Sequence, residues 1–171
     1  FSYTRTDQNG ESVTFTKEDY ASYYLEQNQD RITDDVWITR GNDHPLFNIA
    51  AESSYESAIL YTNVVGSPEN TEWSYGRTSD LVLDSYQPWQ AAIGGNNPRG
   101  ALGQFMSLHL IEEDIYFDVV FHSWTCCGNG GGFSYTRMPA SPDSEQMLNG
   151  KLVGVIESAS DNSPLEGAHI I

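Results

Sequence analysis

Basic side chains are scarce in this chain. Eight Lys and Arg stand against 24 Asp and Glu, a formal net charge of -16, and Lys17 and Lys151 are the only lysines. Such a surface repels phosphate backbones and anionic lipid, so neither nucleic acid nor a membrane surface is an expected partner. Cysteine is scarcer still: Cys126 and Cys127 are adjacent, with no other cysteine to reach. A long-loop disulfide within the chain is excluded, which leaves a vicinal bond, bridges to other subunits, or two free thiols. Their spacing matches no zinc pattern, and no metal or cofactor is predicted. Hydrophobic runs are short. None reaches the roughly 18 apolar residues that would span a bilayer, and no charged-then-apolar leader opens the sequence. A start on a strand-like Phe1 suits a mature secreted protein whose leader has been removed.

The motifs of common reactions are missing too. There is no G-x-S-x-G, no H-E-x-x-H, no P-loop and no dinucleotide fingerprint. The glycines at 128 and 130–132 lie between two strand-like segments and lack the Lys-Ser/Thr of a phosphate loop, so a structural turn is expected there. His44, His109, His122 and His169 are scattered; His109 and His122 fall on facing strand candidates and are read as a half-exposed polar pair rather than a metal site. With 24 carboxylates in the chain, neighbours such as Glu112-Glu113 or Asp34-Asp35 are inevitable and carry no weight for acid–base chemistry. The loops at Asn42-Asp43 and Asp161-Asn162 lack the EF-hand spacing and would hold calcium only weakly. No enzymatic activity is predicted.

What is present is apolar and aromatic: 39% hydrophobic residues, with seven Phe, ten Tyr and four Trp, enough for one well-cored domain. The strongest pattern is in residues 114–137, DIYFDVVFHSWTCCGNGGGFSYTR. Ile115, Phe117, Val119 and Phe121 recur every second residue, while Tyr116, Asp118, Val120 and His122 leave from a mixed, mostly polar face. That is a strand packed on a core on one side. A Gly-rich reversal and a second strand over 133–137 complete a hairpin. Met106, Leu108 and Leu110 give the same alternation just upstream. Strand–turn–strand signals recur at 36–40 with 46–50, and a strand is predicted at 72–77. Helix is confined to scraps at 88–93 and at 16–25, where Tyr20, Tyr23 and Tyr24 share one face after a capping-box-like Thr16 to Asp19. Many short strands with turns between them predict an all-β fold, an antiparallel sandwich of jelly-roll or Ig-like type with one or two short helices.

Two segments carry resemblances. NQDRIT (28–33), VWITR (36–40), DIYFD (114–118) and SWT (123–125) followed by GGGFSYTR resemble a module found in many secreted bacterial proteins, covering about 13–137. That resemblance implies a β-sandwich and an extracellular location, and no established activity. GKLVGVI (150–156) and PLEGA (164–168) resemble the opening hairpin of carboxypeptidase-regulatory-like Ig domains, here with only two strands. The domain reading is therefore an N-terminal strand at 1–12, a sandwich at 13–138, a linker at 139–149 and an incomplete Ig-like hairpin at 150–171.

An isolated hairpin is marginal, so this one is expected to complete itself on another segment or subunit. FSYTR also opens the chain, at 1–5. The expected function is a structural subunit of an extracellular, pilus-like bacterial fibre, a helical homopolymer of identical subunits built by β-strand addition (donor-strand exchange). Phe1, Ser2, Tyr3, Thr4, Arg5 and Thr6 would form the donor strand. Leu152, Val153, Val155, Ile156, Ile170 and Ile171 would line the acceptor groove. The rival is a secreted carbohydrate-binding module in which Trp73, Trp89 and Trp124, all near turns, stack on sugar rings; a glycan-active hydrolase is the second alternative. Large aromatics closing the ends of the core are the plainer reading of these tryptophans.

Overall fold

The computed structural model describes residues 11–42, 44–52, 68–81, 85–95 and 97–140. The expected donor strand (1–6), most of the linker, the C-terminal hairpin (150–171) and His169 lie outside the described residues.

The described chain is all-β, with two antiparallel sheets and very little helix. The larger sheet holds β1 (Val13–Lys17), β5 (Thr71–Tyr75), β6 (Phe105–Leu110), β7 (Ile115–Trp124) and β8 (Phe133–Pro139), in the order β1-β8-β7-β6-β5. The smaller holds β2 (Asp30–Arg31), β3 (Trp37–Arg40) and β4 (Leu46–Asn48), in that order. One buried cluster takes side chains from both: Ile38 and Leu46 meet Trp73, Leu108, Phe117 and Phe121. A four-residue helix, α1 (Trp89–Ala92), adds Trp89 and Ala92 to the same core.

Alternation explains most of this. Phe117, Val119 and Phe121 are buried, and across the ladder Leu108 faces Phe117 and Met106 faces Val119, both buried as well. The period then breaks. Between Phe121 and Ser123 the register slips by one, leaving His122 exposed, so that Trp124 turns inward opposite Phe133. A β-bulge thus returns a tryptophan to the core where strict alternation would have put it in water.

Three expectations are corrected. No helix forms over 16–25; Lys17 closes β1 and Tyr20 has a positive φ of 60°. The groups that would have started a helix are taken by the Gly-rich loop instead: Asp19 Oδ1 accepts from the Gly132 N–H at 2.8 Å, and the Tyr20 N–H donates to Gly130 O at 2.8 Å. The outer face of β7 is not simply wet, because Tyr116 is buried against Tyr86 and Ala140 and stacks on His109 at 4.1 Å. The sandwich runs past 138: Pro139 pairs with Phe117, and the Ala140 N–H donates to Tyr116 O at 2.9 Å.

The sheets are also tied by charge. Asp30 on β2 accepts from Tyr135 Oη at 2.5 Å, Arg137 Nε at 2.9 Å and Arg137 Nη2 at 3.2 Å, both donors lying on β8. All three residues are buried. Tyr135 is held neutral, since burial and then the Asp30 charge push its phenol well above the ordinary range. This contact joins NQDRIT to GGGFSYTR, and a buried carboxylate needs such partners.

Candidate functional site

A cleft of about 300 Å³ opens where segments distant in sequence converge: the β3–β4 turn, α1, Gly95 and Pro98, and the end of β7 with its following loop.

Arg40 closes β3 and is 2% exposed. Its Nε donates to His44 O at 2.9 Å, bracing the turn, and its guanidinium lies 3.8 Å from the centre of the Trp124 ring. Stacking of this kind fixes the plane of the cation while the aliphatic stem stays packed. Trp124 in turn packs on Trp89 at 5.9 Å and on Phe133 at 6.0 Å. Pro88 precedes α1, a favourable start, and Gly94 and Gly95 end it with φ of 71° and 94°. Gln90 and Ile93 of this segment line the cleft. The Trp89 indole N–H is buried without an acceptor among the described residues, a deficit that typically costs about 1–3 kcal/mol.

Cys126 and Cys127 are bonded to each other and form part of the wall. The loop they begin is held by backbone geometry: Cys127, Gly128, Gly130 and Gly131 all have positive φ. At Gly131 a Cβ would strike Gly41 O and the Asn42 backbone, so the β3–β4 turn approaches closely only because no side chain is there. The loop glycines therefore serve the close packing of this loop on the β3–β4 turn.

Arg40 is the fixed cation at the cleft. Its described lining includes Arg40 and His44 and no Asp or Glu. Lys17, also buried, donates from Nζ to Gly131 O at a long 3.4 Å. Its amine is held below the ordinary value, by burial first and the Arg40 charge second, with Asp19 acting the other way.

Of the tryptophans proposed to stack on sugars, Trp89 and Trp124 line the cleft but are buried in its wall, 1% and 8% exposed, and Trp73 does not reach it. Trp73 is fully buried, its ring against Trp89 and Phe121 and its Nε1 donating to Thr71 Oγ1 at 3.0 Å, so it cannot present a face to a ligand. The two strand histidines do not meet: His109 contacts Glu72 at 2.7 Å and Asp114 at 3.1 Å, whereas His122 contacts Thr136 at 2.7 Å. Among the described residues no group of three or more His, Cys, Asp or Glu is placed to hold a metal ion. No described helix is long and apolar enough to cross a membrane. Arg40, His44 and Gln90 were missed in the sequence because no motif links them; the only hint was an Arg ending a β-branched, aromatic run. Tyr20 and Tyr24, expected on one face of a short helix, are instead 66% and 65% exposed.

Comparison with protein-family models, with curated proteins and with solved structures finds no match to this chain.

Proposed function

We propose that this chain is a secreted, non-catalytic β-sandwich module that binds a sugar in the cleft beside Trp124. The observation that carries it is the cleft itself: apolar walls from Trp89, Trp124, Ile93 and the Cys126–Cys127 bond, with Arg40, His44 and Gln90 also in its lining. Mostly apolar concavities with a few placed polar groups are the usual form of small-ligand sites. A sugar ring offers matching faces, C–H groups for the aromatics and hydroxyls for the polar rim. A disulfide persists in oxidising compartments, which supports an extracellular location. The test is a glycan panel with the wild-type chain and the rim variants Gln90→Ala and His44→Ala, whose side chains stand outside the buried core. Binding that both variants weaken supports the reading. No binding across the panel, or binding that neither variant changes, refutes it.

Assembly with identical subunits into an extracellular fibre is a second reading, favoured by the position of β1 at the edge of the larger sheet among the described residues. An edge strand offers backbone groups to an added strand, and residues 1–6 have the alternating pattern of a donor. Filaments seen by electron microscopy, and their loss on deleting residues 1–7, are the expected results. Filaments of normal length from that deletion would end the idea.

A further inference from the structure

Resting on the sugar-binding reading, we infer that the sugar ring lies on the Cys126–Cys127 disulfide, and that the cleft holds it only while that bond is intact. The apolar lining divides by exposure. Trp89, Ile93 and Trp124 are 1%, 5% and 8% exposed, so they back the cleft and offer a ligand almost no surface. Cys127 is exposed and Cys126 half-buried, and both line the same space. Pro45 and Pro98, also half-buried, are the other apolar side chains of the described lining with surface to offer. Only the cysteines are joined to each other.

The bond makes one platform of two small side chains. It closes a ring through the peptide link between the residues, which leaves little rotamer freedom to lose on binding and no thiol hydrogen to place. Sulfur is polarizable and packs well against C–H groups, which are what one face of a sugar ring presents. The ring is fixed from both ends. Cys126 packs on the core cluster, and its carbonyl accepts from the Asn129 N–H at 3.2 Å and from Asn129 Nδ2 at 3.1 Å. Cys127 has a φ of 65°, a left-handed conformation that residues other than glycine seldom adopt, and its bond to Cys126 helps to hold it there. Gln90 and His44, half-buried in the same lining, supply polar neighbours for the hydroxyls at the ring's edge.

A dithiol dismantles this surface. Its thiolate attacks one sulfur, forming a mixed disulfide and freeing the other cysteine as a thiol. The second thiol of the reagent then closes the reagent's own disulfide and frees the second cysteine, so the electron pair that reduces the protein comes from the dithiol. The exposure of Cys127 leaves a path for that attack.

The experiment uses the folded, oxidised chain with a panel that includes cellotriose, maltotriose, chitotriose and xylotriose. For a member that binds by calorimetry, nuclear Overhauser effects should connect sugar ring protons to the β-protons of Cys127. The chain reduced with dithiothreitol, its fold checked by the indole N–H spectrum, should bind about tenfold or more weakly, and reoxidation should restore the affinity. Cys126→Ala with Cys127→Gly, the glycine chosen for the positive φ, should bind as the reduced chain does. Overhauser contacts that miss both cysteines, or equal affinity in oxidised and reduced chains, would overturn the inference and leave the sugar reading standing. If no sugar of the panel binds the oxidised chain, both fall.

Discussion

Asp30 shows how much of this fold depends on single polar residues. It lies on a two-residue strand of the smaller sheet and receives hydrogen bonds from Tyr135 and Arg137 of the larger one. A buried ion pair adds little net stability over an apolar pair of the same shape, but losing one partner strands the other charge. Asp30→Ala should therefore destabilise by about 3–5 kcal/mol in denaturant unfolding, and the double variant Asp30→Ala with Arg137→Met should recover part of that loss. A cost below about 1 kcal/mol for the single change would mean that water reaches Arg137 and the sheets are not sealed there. At the same scale, Cys126 and Cys127 are bonded to each other, so boiled, unreduced protein should run as a monomer. A reductant-sensitive dimer would contradict that pairing.

Among the elements, the Gly-rich loop after β7 offers a controlled comparison. Gly131 and Gly103 have nearly the same backbone, with φ of 65° and 71°. A Cβ at Gly103 meets nothing, whereas at Gly131 it meets the backbone of the β3–β4 turn. Gly103→Ala should cost only the left-handed strain of about 1–2 kcal/mol. Gly131→Ala should cost clearly more in thermal melts, because the turn must also move; equal losses would show that the turn is not in contact. The loop also marks the limit of what the sequence revealed. The β7 alternation was legible because Phe117, Val119 and Phe121 follow one period on one face. The failed helix at 16–25 was not, because Asp19 is claimed by Gly132, 113 positions further along. Local propensity cannot anticipate a tertiary hydrogen bond of that range. Similarly, two of the three tryptophans assigned to a sugar site reach the cleft, but Arg40, His44 and Gln90 come from separate segments, and only folding brings them together.

For the whole molecule, the tyrosines set the response to pH. Burial raises the phenols of Tyr135, Tyr116, Tyr86 and Tyr75 above their ordinary value of 10.0, with Asp30 adding to the effect on Tyr135 and Asp114 to that on Tyr116. Above that pH the unfolded chain loses protons that the folded chain keeps, so stability falls as pH rises. Lys17 acts in the opposite sense, since its lowered amine penalises folding most below 10.5 and less as pH climbs to that value. The two fully buried phenols, Tyr135 and Tyr116, outweigh the one amine. The guanidinium midpoint should drop between about pH 9 and pH 11, and a flat or rising midpoint would contradict the burial of Tyr135 and Tyr116. The central claim, that the cleft beside Trp124 binds a sugar, is tested most directly by heteronuclear NMR of the indole N–H signals during titration with an oligosaccharide that binds. Trp89 and Trp124 line the cleft, Trp73 is buried away from it, and Trp37 lies under Arg31 on the smaller sheet. The Trp89 and Trp124 signals should shift in proportion to saturation while those of Trp37 and Trp73 stay in place; unmoved Trp89 and Trp124 signals at full saturation would place the sugar elsewhere.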